Sequence, residues 1–245
     1  VDRKDPGKEY AIPPDNPFLD TPKARPETWA HGFRNPWRLT CDEKTGHIWV
    51  GENGQDLWES AKLVEKGANY GWSVYEGSHP FYLERKLGPG KLRQPTVEHH
   101  HREARSLTGG VVYHGNVLPK LRGAYIYGDY STGKVWAAKH NGEELLWHRE
   151  IADTAFQITG FGVDTRGNLL VIDETSGFHK FIPNPDANRK SNFPKRLSKT
   201  GLFKNTRNLT PHPALIPYSV NLPHWTDGAK AQHYIALPGD ANTTI

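Results

Sequence analysis

Strand-turn-strand units recur along the chain, and this recurrence constrains the fold more than any other feature of the sequence. In each unit a glycine-containing turn precedes an apolar run that ends in Gly or Asp, and a second turn leads into another strand. The units lie near residues 46, 123 and 167, and about 45 residues separate the last two, the length of one four-stranded propeller blade. No segment keeps the apolar period of an amphipathic helix, and the nearest, residues 56–66, is short and ends at Gly67. The pattern predicts an all-β fold with radially repeated sheets, with a sandwich or jelly roll as the alternative.

The composition excludes several classes of protein. The 245 residues include 8 Trp, 10 Tyr and 9 Phe, and this aromatic content argues against a disordered chain. No run of about 18 apolar residues is present, so we predict no membrane span. The formal net charge is +4, but acidic residues interrupt nearly every basic stretch, and we therefore predict no nucleic-acid partner.

The composition also divides the chain along its length. Residues 1–183 hold the strand units, residues 184–192 are polar and turn-rich, which predicts a linker, and residues 193–245 form a proline-rich extension or the start of a second domain. Residues 215–225 of the extension are apolar enough that we expect them to pack. Methionine is absent even at position 1, and both ends are abrupt, so we expect the chain to be a piece of a longer protein.

The lone cysteine and a run of three histidines have ordinary structural explanations. Cys41 excludes an internal disulfide, and its position beside a strand predicts a small packed residue. No CxxCH motif is present to attach a haem covalently. The histidines at 99–101 would alternate between the two faces of a strand, so we expect a solvated or partly packed strand, with transition-metal binding as the alternative.

The densest group of candidate functional residues lies between His31 and Trp72. The planar guanidinium of Arg34 suits carboxylates, and Asn35 adds an amide. This pair could bind a polyanionic small molecule, or Arg34 could bond to backbone carbonyls for structure alone. Residues 51–60 combine Gly, Asn and acidic residues in a loop that can present oxygen atoms to calcium, which takes six to eight such ligands. The alternative for this loop is an acidic, solvated turn.

Five motifs in this order give the chain a family resemblance. They are YAIPPDNPF at 10–18, HGFRNPW at 31–37, GQDLWE at 54–59, VEKGANYGW at 64–72 and TGGVVYHG at 108–115. Over about residues 1–183 the chain resembles the soluble quinoprotein glucose/sorbosone dehydrogenase family. The resemblance implies a six-bladed β-propeller, of which the chain would form the C-terminal part. It also implies oxidation of aldose sugars with pyrroloquinoline quinone (PQQ) and calcium, in the periplasm or outside a bacterial cell.

The resemblance also implies roles for five residues at a cofactor site. Arg34 and Asn35 match the pair that contacts the quinone, and the Arg side chain suits the carboxylates of PQQ. Asn53 matches a polar position on the cofactor side. Gly54 and Gln55 match positions whose backbone carbonyls hold the calcium ion of the cofactor.

A second, structural calcium ion is implied near Tyr70, whose carbonyl matches one of its ligands. The family carboxylate that accompanies this Tyr lies ten residues earlier, where this chain has Ser60. Glu59 precedes it by one residue, and we expect Glu59 to serve as the ligand if the ion is retained.

The chain departs from the sugar-oxidising members at other cofactor positions. Thr159 and Gly162 stand on the strand where those members place arginines, and Tyr130 replaces a lysine. The general-base histidine of the family lies in an earlier blade that this chain does not contain. No catalytic residue is therefore assigned from the sequence.

Two functions follow from these features. The tail from Phe193 to Ala229 resembles a segment that precedes c-type cytochrome domains in some bacterial proteins, so the first hypothesis is a sugar dehydrogenase that passes electrons to a cytochrome. The alternative is a non-catalytic propeller that binds carbohydrate or a protein partner, as eukaryotic relatives of the family do.

Overall fold

The computed structural model describes residues 10–185, 193–222, 225 and 227–237, and their regular structure is almost all β. The strands are β1 Pro36–Cys41, β2 Ile48–Glu52, β3 Trp58–Leu63, β4 Ala68–Asn69, β5 Tyr75–Glu76, β6 His79–Pro80, β7 Lys91–Leu92, β8 Val97–His100, β9 Leu107–Tyr113, β10 Ala124–Asp129, β11 Lys134–His140, β12 Leu145–Asp153, β13 Ile158–Val163, β14 Leu169–Asp173, β15 Gly177–Lys180, β16 Phe203–Asn205, β17 Thr210–Pro211, β18 Ile216–Tyr218 and β19 His233–Ile235. Two short 3₁₀ turns lie at Pro119–Leu121 and Leu197–Lys199. None of the described helices is long and apolar enough to span a bilayer.

Three antiparallel sheets correspond to the repeated units of the sequence. Sheet 1 has the order β1-β2-β3-β8, sheet 2 consists of β9 to β12 in sequence order, and sheet 3 consists of β13, β14 and β15. Each sheet is a meander of neighbouring antiparallel strands, as in propeller blades. The prediction of an all-β fold and of part of a propeller is confirmed.

A 33-residue insertion separates β3 from β8 within sheet 1. This insertion, residues 64–96, contains the small strands β4 to β7, which form one parallel and one antiparallel two-stranded ribbon. Its motif at 64–72 lies beside the segment that leads into β1, because the N–H groups of Tyr70 and Trp72 donate to the carbonyls of His31 and Gly32. The insertion therefore covers the end of sheet 1 at which β1 begins.

Aromatic and aliphatic side chains fill the spaces between neighbouring sheets. Between sheets 1 and 2, the rings of Trp49 and Tyr125 stack with centroids 4.7 Å apart. Between sheets 2 and 3, Ile126, Ile158 and Leu169 are fully buried in a second cluster. The core thus lies between the faces of successive sheets.

Two glycines allow sheets 1 and 2 to approach each other closely. A Cβ atom on Gly51 would lie 2.5 Å from Gly109 Cα, and Gly109 itself has φ +77°. A side chain at Gly51 would push the two backbones apart, and a Cβ atom at Gly109 would lie 2.9 Å from Arg38 Cβ at a φ that L residues rarely adopt. This close approach sets the spacing of β2 and β9 near the end of sheet 1.

The residue predicted to be packed at the end of β1 is exposed. Cys41 shares one face of β1 with Trp37 and Leu39, each of which is 63% exposed. The described residues leave that face of the strand uncovered, so the prediction of a packed Cys41 is wrong. The local sequence could not show this, because burial depends on what covers the face.

The second unit comprises Pro185–Ile245 and is described by itself. Its short ribbons are β16-β17 and β18-β19. The apolar residues 215–225 were expected to pack, but Leu222 and Trp225 are 86% and 87% exposed. Their apolar character therefore does not mark a core within the described part of this unit. Most of the predicted linker, residues 186–192, lies outside the described residues.

Candidate functional site

The predicted cofactor residues meet at the end of sheet 1, where β1 begins and β2 ends. The backbone N–H of Asn53 donates to the carbonyl of Asn35 at 3.1 Å, and the side-chain amides of these two residues lie 3.5 Å apart. This pairing brings Arg34 and Asn35 beside the loop that carries Gly54 and Gln55. We call these five residues, Arg34, Asn35, Asn53, Gly54 and Gln55, the rim.

The guanidinium of Arg34 lies across the rim. Its Nε and Nη2 atoms donate to Gln55 Oε1 at 2.9 and 2.8 Å, and Nη1 donates to the carbonyl of Asn53 at 3.2 Å. The guanidinium carbon is 5.8 Å from the centroid of the Trp72 ring, which belongs to the insertion. Two of the donor groups thus converge on one amide oxygen, an arrangement that a carboxylate can accept instead.

A buried carboxylate, Glu59 on β3, supports the rim from below. Glu59 Oε2 accepts from the side-chain amide of Asn53 at 2.7 Å and from the N–H of Leu107 at 2.8 Å. Glu59 Oε1 accepts from the N–H of Gly54 at 3.2 Å and lies 2.9 Å from His101 Nε2. These contacts fix the orientation of Asn53 and join sheet 1 to the start of sheet 2.

A second carboxylate, Glu76 of the insertion, anchors the loop after Gly54. Glu76 Oε1 accepts from the N–H groups of Gln55, Asp56 and Leu57 at 2.5, 2.6 and 3.2 Å. The carbonyls of Gly54 and Gln55 accept no hydrogen bond from any residue that the structure describes. Unpaired carbonyls on an anchored loop are suitable calcium ligands. The donor and acceptor set of the rim therefore fits an anionic cofactor with its calcium ion.

The surroundings of Tyr70 differ from those of the rim, because a lysine lies there. Lys62 Nζ contacts Glu52 Oε2, donates to Ser60 Oγ at 2.6 Å and lies 5.7 Å from the centroid of the Tyr70 ring. The Lys62 side chain is 1% exposed. Burial lowers the pKa of Lys62, and the carboxylate of Glu98 opposes this shift. Lys62 could not be predicted as part of a site, because nothing in the sequence WESAKL marks its lysine as buried.

The three neighbouring histidines have separate partners. His99 Nε2 lies 2.8 Å from the hydroxyl of Tyr127, and burial lowers the pKa of His99. His101 contacts Glu59, whereas the ring of His100 lies against Trp58. Among residues 10–185, 193–222, 225 and 227–237, no group of three or more His, Cys, Asp or Glu residues could hold a metal ion.

An arginine does reach the strand on which the sequence lacks one. Arg38 of β1 extends to β13, where its Nη2 donates to the carbonyl of Thr159 at 2.9 Å. Its buried Nε atom has no partner among the described residues. The replacement for the family lysine, Tyr130, bonds instead to Glu174. Sequence reasoning missed Arg38 because it compared positions along one strand, and this side chain arrives from another sheet.

Curated relatives match between 52% and 68% of the chain. HIPL1 protein of Arabidopsis thaliana is 37% identical over 141 residues, which are 52% of this chain and 20% of that protein. Aldose sugar dehydrogenase YliI of Escherichia coli strain K12 is 26% identical over 174 residues, 68% of this chain and 46% of that protein. Hedgehog-interacting protein of Mus musculus is 26% identical over 188 residues, 68% of this chain and 23% of that protein. The chain thus spans less than half the length of each of these relatives.

Solved structures support the same fold. A glucose dehydrogenase structure superposes with a TM-score of 0.59 and 24% identity, and the match covers 72% of this chain and 53% of that one. The PQQ-bound aldose sugar dehydrogenase of Streptomyces coelicolor has a TM-score of 0.50 and 20% identity, with 66% of this chain and 42% of that one covered. At these identities the likeness concerns the fold.

The sequence model of the glucose/sorbosone dehydrogenase family matches residues 7–178, which is more than half of the chain. This match covers the whole rim and all three sheets except the last two residues of β15. The chain therefore belongs to the glucose/sorbosone dehydrogenase family.

Proposed function

We propose that this chain is part of a sugar dehydrogenase that oxidises an aldose or a related alcohol and binds PQQ with calcium at the rim. The observation that carries the proposal is the rim itself, where the Arg34 guanidinium lies beside an anchored loop on which the carbonyls of Gly54 and Gln55 are unpaired among the described residues. The PQQ-bound relative of Streptomyces coelicolor supports the choice of cofactor. When bound, PQQ would accept a hydride from the sugar.

The residues of this chain would bind and orient the cofactor. Arg34 would exchange the Gln55 amide oxygen for a cofactor carboxylate, and Asn35 would add an amide contact. Gly54 and Gln55 would offer their carbonyls to calcium, while Glu59 and Glu76 hold the loop in place. No histidine of this chain is assigned as the general base, since that residue belongs to an earlier blade by the family resemblance.

We also propose a c-type cytochrome as the electron acceptor and a periplasmic or extracellular location. The cytochrome rests on the resemblance of the extension, residues 193–245, to a segment that precedes cytochrome domains. The location rests on the resemblance of the chain to the family as a whole. Neither proposal depends on the geometry of the rim.

A non-catalytic binding module is the second candidate function. It is favoured by the similarity to Hedgehog-interacting protein, whose name describes a protein partner, and by Thr159 and Gly162 at the positions of cofactor-binding arginines. In this case the rim would bind carbohydrate or a protein rather than PQQ.

Titration of PQQ in the presence of calcium and then of EDTA distinguishes the two candidates. Trp72 lies beside Arg34, so we expect saturable quenching of tryptophan fluorescence that EDTA reverses. Arg34→Ala should weaken binding at least about tenfold, because a charge-assisted contact contributes about 1.5–3 kcal/mol.

Arg149→Ala is the matched control. Arg149 lies 4.4 Å from the centroid of the Trp147 ring on β12, is exposed, and lies outside the rim, so its loss should leave the titration unchanged. A folded chain whose fluorescence does not respond to PQQ would favour the binding module.

A further inference from the structure

A buried lysine contacts Ser60, which stands at the position where the family resemblance implies the carboxylate ligand of a structural calcium ion. Lys62 Nζ contacts the carboxylate of Glu52 and the hydroxyl of Ser60, and the rings of Tyr70 and Phe33 flank it at 5.7 and 5.9 Å. This cluster therefore already contains a cation, and the cation is covalently part of the chain.

The carboxyl group of Glu52, which contacts this lysine, is surrounded by donors. Glu52 accepts from Lys62 Nζ, from the backbone N–H of Arg34 and from Ser60 Oγ, the last at 3.4 Å. The two side chains are both buried and in direct contact, so each provides the counter-charge of the other.

The oxygen ligands that a second calcium ion needs are not available here. Ser60 replaces the family carboxylate, and the two oxygens of Glu59 are bonded to Asn53, Leu107 and Gly54, with His101 in contact as well. Calcium takes six to eight oxygen ligands, and a positive ammonium group repels a dication at close range. The residues present do not fit a second calcium ion.

We propose that the ammonium group of Lys62 takes the place of the structural calcium ion, so that this sheet is held together without a second metal. The proposal concerns the chain without PQQ and does not depend on the proposed function of the rim.

The first test measures the calcium dependence of the PQQ-free chain. A site with calcium at 100 times its Kd would raise Tm by roughly 5–10 °C in a chain of this size. We expect the same Tm in calcium and in EDTA, and no bound calcium after dialysis. Two rim carbonyls are too few ligands to hold calcium alone. A saturable rise in Tm with calcium would therefore overturn the proposal.

The second test removes the ammonium while keeping the volume of the side chain. Lys62→Met leaves the Glu52 carboxylate buried without its partner and should lower Tm by about 10 °C. Adding Glu52→Gln should recover part of this loss. Lys134→Met is the matched control, because Lys134 is a strand lysine in a solvent-accessible 2.8 Å pair with Glu150, and it should change Tm by about 4 °C or less. Equal losses in Lys62→Met and Lys134→Met would overturn the proposal.

The third test replaces the ammonium group of Lys62 by a potential calcium site. The double substitution Ser60→Glu with Lys62→Asn supplies a carboxylate and removes the ammonium, so this variant should acquire a calcium-dependent rise in Tm. If the double variant folds but its Tm is the same with and without calcium, Lys62 does not occupy a cation site, and the proposal is overturned. PQQ binding by wild type is measured separately, so failure at the rim and failure here are distinguishable.

Discussion

Single buried side chains make the stability of the first unit depend on pH. His148 Nε2 lies 2.8 Å from the hydroxyl of Tyr127, which is also 2.8 Å from His99 Nε2. Burial of His148 lowers its pKa to about 4, and the charge of the neighbouring His99 makes a smaller contribution in the same direction. In the unfolded chain, the pKa of His148 has the ordinary histidine value of about 6.5. As pH falls, His148 is therefore protonated in the unfolded chain before it is protonated in the folded one.

We predict that Tm falls as pH is lowered from about 6.5 towards 4, because protons bind the unfolded chain in that interval. His148→Gln should keep a hydrogen-bonding group for Tyr127 and make this slope shallower. Thermal melts at several pH values measure both slopes. Identical slopes in wild type and variant would contradict the assignment of this proton uptake to His148.

At the residue scale, the sequence predicts the five members of the rim and Glu59 beneath them, but neither Glu76 nor Lys62. Arg34, Asn35 and Gln55 belong to motifs and could be named from the family resemblance. Glu76 lies about 20 residues from the N–H groups it accepts, and Lys62 lies ten residues from Glu52. Such pairings are set by the packing of the insertion and of β3, so residue type and spacing do not reveal them.

The spacing of neighbouring sheets depends on glycines whose Cβ positions are already occupied. At Gly51 a Cβ atom would lie 2.5 Å from Gly109 Cα, and backbone cannot move aside as a flexible side chain can. We predict that Gly51→Ala destabilises the chain by about 1–3 kcal/mol, the usual cost of overpacking. Urea unfolding measured by tryptophan fluorescence gives this difference.

Gly162→Ala provides the matched control for this prediction. Gly162 also lies in a strand, but its Cβ position faces open space with no atom within 4 Å. This substitution should be neutral or slightly stabilising, because alanine restricts the unfolded chain. Equal destabilisation by the two substitutions would argue against the close approach of β2 and β9.

At the scale of elements, strands with β-branched and aromatic residues could be predicted, whereas β3 could not. Its sequence WESAKL carries two charges, yet five of its six residues are buried. The strand is central, between β2 and β8, and its charged residues are paired within the fold. A central strand that is buried on both faces and has paired charges lacks the alternation of apolar and polar residues by which strands are recognised in a sequence.

On the scale of the whole molecule, sheets 1 and 3 each leave apolar side chains uncovered. Trp37 and Leu39 protrude from β1, and Phe178 of β15 is 74% exposed. Exposed apolar strand faces of this kind promote association. The repeat in the sequence predicts the sheets themselves, but it cannot say which faces are covered, since that depends on what else assembles around them.

We predict that the chain, studied alone, forms dimers or larger species in a concentration-dependent manner. Leu39→Lys with Phe178→Lys should reduce this association, because both positions face solvent in the single chain and need no repacking. Size-exclusion chromatography with light scattering measures the mass of each species. A monomer with a cooperative melt at every concentration would contradict the prediction.

The exposed thiol of Cys41 provides a direct chemical probe of the uncovered face of β1. It shares this face with Trp37 and Leu39, and it is the one cysteine of the chain. A maleimide dye would therefore attach at a single known position without any engineering, and its rate of reaction would measure how accessible the face is. Any sheet, second copy or partner that covers β1 would slow this labelling, so reaction kinetics at one sulfur atom can follow the assembly of the molecule in real time.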